Sequence, residues 1–137
     1  MKKILDFILS DEIIMIVRSY LSIEPLLTEL KILFSPIENG SSKLTGSQLF
    51  HLDFDDEKII KIFINLNDID SETGPLEIID KPSTNQILSK NKNFYSKHSD
   101  NFDLINNSQD IKLVGSKRTI NFVDTCSCLH RGSRNNK

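Results

Sequence analysis

The stretch SQLFHLDFDD, residues 47–56, places a histidine and an aspartate two residues apart in an otherwise apolar segment. If this segment is a β-strand, His51 and Asp53 point to the same face, about 6.5 Å apart along the chain. The hydrophobic residues at the alternate positions then face the opposite side, where they pack. The pattern therefore predicts a packed strand that presents imidazole and carboxylate together, either to solvent or to a metal ion.

A third metal ligand has to come from elsewhere in the chain, which holds two further histidines. His98 lies in a polar segment, whereas His130 ends a strand-like run and is followed by RGSR. We therefore predict His130 as the third ligand. Two histidines and one carboxylate on one face of an octahedron leave three positions open, as in non-haem Fe(II) oxygenases. Alone, however, the H-x-D spacing of His51 and Asp53 is a weak signal.

Composition and charge narrow the class of protein. The chain has 137 residues, enough for a single domain, and 38% hydrophobic with 26% charged residues is ordinary for a folded globular protein. A net charge of -2 gives no sign of a nucleic-acid partner. No apolar run is long enough for a membrane span. The two cysteines, Cys126 and Cys128, are too close together for a comfortable disulfide, so we expect a reducing, cytoplasmic location.

The pattern of the chain predicts a helical front, residues 1–34, followed by a strand-rich body, residues 47–137. Ser10 is a typical N-cap, because acidic residues and then apolar residues at helical spacing follow it. Pro25 is expected to start a second short helix or a turn. Residues 35–47 are rich in Gly, Ser and Pro and indicate a loop.

The body alternates between strand patterns and turns. Residues 58–66, KIIKIFINL, predict a buried strand, and LEIID predicts another that begins after Gly74 and Pro75. Residues 81–110 are polar and predict a long excursion with one short helix. Strand patterns return in residues 111–130.

Two patches of this chain resemble one protein family. SQLFHLDFDDEKIIKIFINLNDIDSETGPLEII is similar to the metal-binding strand and following hairpin of the phytanoyl-CoA dioxygenase-like Fe(II)/2-oxoglutarate oxygenases. VGSKRTINFVDTCSCLHRGSR resembles that family's second signature, a strand ending in Asp-Thr, a short turn and then His-Arg-Gly. The two patches occur in the family's order, which is more specific than either patch alone.

The resemblance implies a mainly β, α+β protein built on a double-stranded β-helix, a cupin-like jelly roll, with N-terminal helices. It implies His51, Asp53 and His130 as ligands of Fe(II). In that family 2-oxoglutarate is the cosubstrate, O2 converts it to succinate and CO2, and a small-molecule substrate is hydroxylated. The iron and the cosubstrate carry the reaction, and the protein orients them and excludes water.

The chain departs from the family pattern after His130. Relatives carry an arginine on the last barrel strand that pairs with the far carboxylate of 2-oxoglutarate, and we expect that strand to be missing here. Arg134 and Arg131 are the candidates that remain for the cosubstrate, since a guanidinium suits a carboxylate, although the spacing of each fits a solvated role better. Lys61 on the neighbouring strand offers a further positive charge, but we expect its ammonium to extend into solvent. A missing strand leaves an unpaired sheet edge, through which the protein can self-associate.

Two alternatives follow from these departures. The chain could be a truncated, non-catalytic jelly-roll remnant that binds metal but does not hold the cosubstrate productively. It could also be a zinc-binding or interaction module, because Asp124, Cys126, Cys128 and His130 would share one face of a continuous strand. C-x-C is not a common spacing for zinc fingers, and a buried cysteine is often simply a small apolar residue.

Overall fold

Two helices form the first of two compact units, Met1–Leu33, in the computed structural model. The structure describes residues 2–35, 37, 44, 46–90 and 110–136. Helix α1 runs over Lys2–Ile8 and helix α2 over Asp11–Leu21. Ser10 is the N-cap of α2, as predicted, although its side chain makes no capping hydrogen bond. The acidic residues in the first turn favour this start, because they lie at the positive end of the helix dipole.

The prediction of a second helix or turn at Pro25 is wrong. Helix α2 ends at Leu21, and the next residue, Ser22, still donates its N–H to the Arg18 carbonyl but turns the chain out of the helix with a left-handed φ of 61°. Residues 24–33 then run without helix or turn. A proline disfavours helical geometry at the residue before it, and a short helix needs a packed apolar face. Among the described residues nothing covers these apolar side chains, since Leu26 is 84% exposed and Ile32 is 73% exposed.

Two antiparallel sheets form the frame of the second unit, Phe34–Lys137. Strand β1 (Ile60–Ile64) pairs with β4 (Ile120–Asp124). Strand β2 (Leu76–Ile79) lies between β3 (Asp110–Leu113) and β5 (His130–Gly132).

The expected α+β class is confirmed by three helices and antiparallel sheets, and the described residues form no closed barrel. No described helix has the length and apolar character that a membrane span needs.

Helix α3, Lys81–Lys90, packs on the sheet and completes the core. This is the short helix predicted after LEIID, and it begins where the Asp80 carboxylate accepts a hydrogen bond from the Ser83 N–H. The core cluster consists of Phe50, Ile79, Ile87 and Leu129. The rest of the predicted excursion, residues 91–109, lies outside the described residues.

A buried threonine joins helix α3 to the chain just before β5. The Thr84 hydroxyl donates to the Ile79 carbonyl and accepts from the Leu129 N–H, both at 3.1 Å. Thr84 and Leu129 are fully buried. Because Leu129 precedes His130, this contact fixes the chain at the start of β5.

The turn before β2 has the predicted geometry. Gly74 takes a φ of 76°, and a Cβ there would lie 3.1 Å from the Ser133 carbonyl oxygen. Any other residue at this position would therefore meet both backbone strain and a close contact. Pro75 then opens the chain into β2, as expected from the sequence.

The prediction of a regular β-strand over residues 47–56 is wrong. A short 3₁₀ helix covers Gly46–Gln48, and His51 then makes a single antiparallel bridge with His130. A regular ladder would next bring residue 53 opposite residue 128, but the Asp53 N–H donates to the Thr125 carbonyl instead, at 3.0 Å. The partner chain turns at residues 125–128, which interrupts the ladder. The segment is therefore extended and hydrogen-bonded, yet it is no regular strand.

Candidate metal centre

Three predicted ligands meet at this interrupted ladder. One possible ligand atom from each of His51, Asp53 and His130 lies within 4.8 Å of the other two. The two backbones are held together there by reciprocal hydrogen bonds of 3.0 Å between His51 and His130. The rings lie with centroids 4.3 Å apart at an angle of 48°. The structure therefore brings together the three residues that the sequence predicted.

Both histidine rings are oriented by backbone carbonyls. His51 Nδ1 lies 2.8 Å from the Leu49 carbonyl oxygen, and His130 Nδ1 lies 3.1 Å from the Cys128 carbonyl oxygen. A carbonyl oxygen can only accept, so each Nδ1 carries the hydrogen and donates it. In the neutral ring the lone pair then lies on Nε2. Such second-sphere hydrogen bonds are typical of metal-binding histidines, since they fix both ring orientation and tautomer.

The Asp53 carboxylate supplies the negative charge of the site. Its side chain is 12% exposed, and Oδ2 lies 3.7 Å from His130 Nε2 and 2.6 Å from Lys61 Nζ. The contact with Lys61 is a close ion pair, which neutralises the carboxylate from the side of β1. Burial alone would raise the pKa of Asp53, but the Lys61 ammonium and the Thr125 hydroxyl outweigh it and the pKa lies below its usual value. The carboxylate is therefore ionised at neutral pH.

His130 is held neutral by its surroundings. It is 4% exposed, and this burial is the main reason why the pKa of His130 lies below its usual value. The hydrogen bond to the Cys128 carbonyl opposes the effect, and the neighbouring His51 adds to it. A neutral imidazole with a free Nε2 lone pair is the form that binds a metal ion.

The donor set fits a divalent cation. Two imidazole nitrogens and one carboxylate oxygen suit Fe(II), and also Zn, Ni and Cu, because imidazole binds these metals well. Three protein ligands leave further coordination positions for water or a small molecule, as catalytic sites do. Asp53 Oδ2 is paired with the Lys61 ammonium at 2.6 Å, so a metal ion that binds this oxygen has to displace that ammonium or share the oxygen with it.

Lys61 is the neighbour whose importance the sequence did not reveal. We expected its ammonium to extend into solvent, as lysines on strands usually do. Its side chain is 41% exposed, and its ammonium nevertheless forms the ion pair with Asp53. The alternation of β1 could not predict this, because Asp53 lies outside the regular sheet.

The structure does not assemble the alternative zinc cluster. Cys126 and Cys128 lie in the turn after β4 rather than on one continuous strand, so their alternation does not place them on a common face with Asp124 and His130. Cys126 Sγ donates to the Asp56 carbonyl at 3.3 Å. Burial raises the pKa of both thiols, which disfavours the thiolate that zinc needs. Within the described residues, the metal-compatible group of three is the His51 cluster.

Arg134 belongs to a different feature. It lines a cleft of about 230 Å³ together with Arg131, and none of the three predicted ligands lines that cleft. Its role with a cosubstrate stays a prediction. The acidic run Asp55, Asp56 and Glu57 is exposed, as expected of a solvated loop. His98 lies outside the described residues.

Comparison with known proteins gives no further assignment. No protein family model, no curated protein and no solved structure matches this chain. The likeness to the phytanoyl-CoA dioxygenase-like oxygenases therefore remains an expectation based on the two sequence patches.

Proposed function

We propose that this chain is an Fe(II)- and 2-oxoglutarate-dependent dioxygenase that hydroxylates a small molecule, with iron held by His51, Asp53 and His130. The observation that carries the proposal is the pair of Nδ1 hydrogen bonds to the Leu49 and Cys128 carbonyls. They place the hydrogen of each ring on Nδ1, so the lone pair of each neutral ring lies on Nε2, beside an ionised and largely buried carboxylate.

Each residue has a defined part in this proposal. The two imidazoles bind through neutral nitrogen, and Asp53 offsets one of the two charges of the cation. The Leu49 and Cys128 carbonyls hold the rings in place. When bound, Fe(II) and 2-oxoglutarate supply the oxidation chemistry, and the chain's own residues orient them. Free thiols at Cys126 and Cys128 support a reducing, cytoplasmic compartment.

The experiment is an anaerobic titration of the protein with Fe(II) and 2-oxoglutarate. The expected result is the weak visible charge-transfer band of an iron-bound 2-oxoglutarate, with its loss in His51→Ala. Cys126→Ser is the matched control, since its side chain lies in the adjacent turn and is no predicted ligand. A band that is absent, or unchanged in His51→Ala, contradicts the assignment. Succinate release under O2 then tests turnover.

A second candidate is a protein that binds metal without catalysis, the remnant considered above. The position of Arg134 favours it, because this arginine, the candidate for the cosubstrate, lines a cleft that none of the three predicted metal ligands lines. This candidate predicts metal binding with no succinate release. The oxygenase predicts both.

A further inference from the structure

A second charged cluster lies on the other face of the three-stranded sheet. Glu77 on β2 is opposite Lys112 on β3 and Arg131 on β5. Cross-strand neighbours share a face, and adjacent residues alternate, so Arg131 and His130 lie on opposite faces of β5. The cleft of about 230 Å³ is lined by Glu77, Lys112 and Arg131, together with Arg134.

Glu77 organises the cations of this cleft. Its side chain is 3% exposed, and it accepts a hydrogen bond of 2.5 Å from Arg131 Nε while lying 3.5 Å from Lys112 Nζ. The guanidinium carbon of Arg131 also lies 4.4 Å from the centre of the Phe50 ring. These contacts hold Arg131 in one orientation before any ligand arrives.

The described lining of the cleft contains more cations than carboxylates. Its described lining contains three cations, Lys112, Arg131 and Arg134, and one carboxylate, Glu77. The lining therefore has a net charge of two positive units, although the chain as a whole carries -2. Gln48, Ser71 and Asn136 add amide and hydroxyl groups to the same wall. Guanidinium groups with polar neighbours are the usual means of recognising phosphate and carboxylate.

We propose that this cleft is a binding site for a small dianion, either a phosphate group or a dicarboxylate, separate from the metal centre. Two negative charges balance the net charge of the lining. The volume lies below the range of about 300–1,000 Å³ that is usual for pockets of drug-sized ligands, so the ligand is small. Arg134 serves this ligand. The proposal does not depend on the proposed oxygenase function, because no metal ligand lines the cleft.

The test is a calorimetric titration of the 137-residue chain with inorganic phosphate and, separately, with succinate, at constant ionic strength against chloride. We expect saturable binding of one of them. Arg134→Gln and Lys112→Gln should each weaken it about tenfold or more, since each removes a charge-assisted hydrogen bond. Lys117→Gln removes the same charge from an exposed position outside the cleft and should leave the affinity unchanged.

The results distinguish a phosphate ligand from a dicarboxylate, and they distinguish the cleft from the metal centre. Preference for phosphate identifies a phosphate-bearing ligand, and preference for succinate identifies a dicarboxylate. His51→Ala should bind the anion with the affinity of the natural chain. A loss of metal binding can therefore be told apart from a loss of anion binding in the cleft. Circular dichroism checks that each variant is folded. If Arg134→Gln does not fold, Lys112→Gln still tests the cleft, because the Lys112 side chain is 43% exposed and its replacement should leave the fold intact. No saturable binding of either anion, or equal binding by all variants, overturns the proposal.

Discussion

Lys61 should compete with the metal ion for Asp53, and Lys61→Gln should therefore bind Fe(II) more tightly. Lys61 Nζ lies 2.6 Å from Asp53 Oδ2. Unit charges at that separation interact by about 1.6 kcal/mol in a water-like dielectric. Because Lys61 is 41% exposed, screening and side-chain entropy reduce this to about 1 kcal/mol. That energy corresponds to about fivefold tighter metal binding.

The assay is calorimetric titration with Fe(II) under anaerobic conditions, with Lys117→Gln as the control of equal charge. A second readout is the stability of the metal-free protein, which should fall by up to about 1 kcal/mol in Lys61→Gln because Asp53 loses its ion pair. Tighter binding together with lower metal-free stability supports displacement of Lys61. Equal or weaker Fe(II) binding in Lys61→Gln, relative to Lys117→Gln, refutes the reasoning.

Three further results are expected. Thr84→Val should lower the free energy of unfolding by about 2 kcal/mol in urea, because the buried Leu129 N–H and Ile79 carbonyl lose a partner, whereas Thr84→Ser should retain most of the stability. The metal-free protein should lose stability as the pH falls below about 6.5, because the pKa of His130 is lowered on folding and the unfolded chain takes up that proton first. Replacing Cys126 and Cys128 together by serine should leave one metal ion bound per chain, measured by atomic emission.

For each of these three predictions, a different result would contradict the structural reason given. Equal stability of Thr84→Val and the natural chain would mean that the hydroxyl does not hold the start of β5. A flat stability between about pH 6.5 and 5 would contradict the burial of a neutral His130, and His130→Gln serves as the reference without that titration. Loss of the metal in the double serine variant would favour the zinc module.

Local sequence patterns predicted the helices and strands that depend on nearby residues, but not those that depend on a distant packing partner. The β-branched run of residues 58–66 gave β1, and the Gly74–Pro75 pair gave the start of β2, because both depend on nearby chain geometry. Helix α2 began where the Ser10 signal placed it. The apolar residues after Pro25 resembled a helix face, but helix formation there needs a packing partner that a local pattern does not reveal.

The site was predicted through residue types rather than through its geometry. His51 and Asp53 were expected on one strand, whereas the turn at residues 125–128 interrupts that ladder and still brings Asp53 to His130. The carbonyl contacts of the two rings depend on this local backbone path. The ion pair of Lys61 with Asp53 depends on a contact between segments, which strand alternation does not encode.

The charged cleft escaped the sequence analysis for a related reason. Glu77, Lys112 and Arg131 are far apart in the chain, and only the strand register places them side by side. A single glutamate within an apolar strand was the available signal. Burial of that carboxylate at 3% exposure requires cations on the neighbouring strands, which the register supplies.

The proposed metal centre binds one divalent ion through His51 Nε2, His130 Nε2 and the Asp53 carboxylate. Long-range proton–nitrogen NMR of the imidazole rings, during titration with diamagnetic Zn(II), tests it most directly. Before metal is added, both rings should carry their hydrogen on Nδ1. One equivalent of Zn(II) should then shift both Nε2 resonances together while Nδ1 stays protonated. Coordination through Nδ1, or a shift of one ring without the other, would contradict the account.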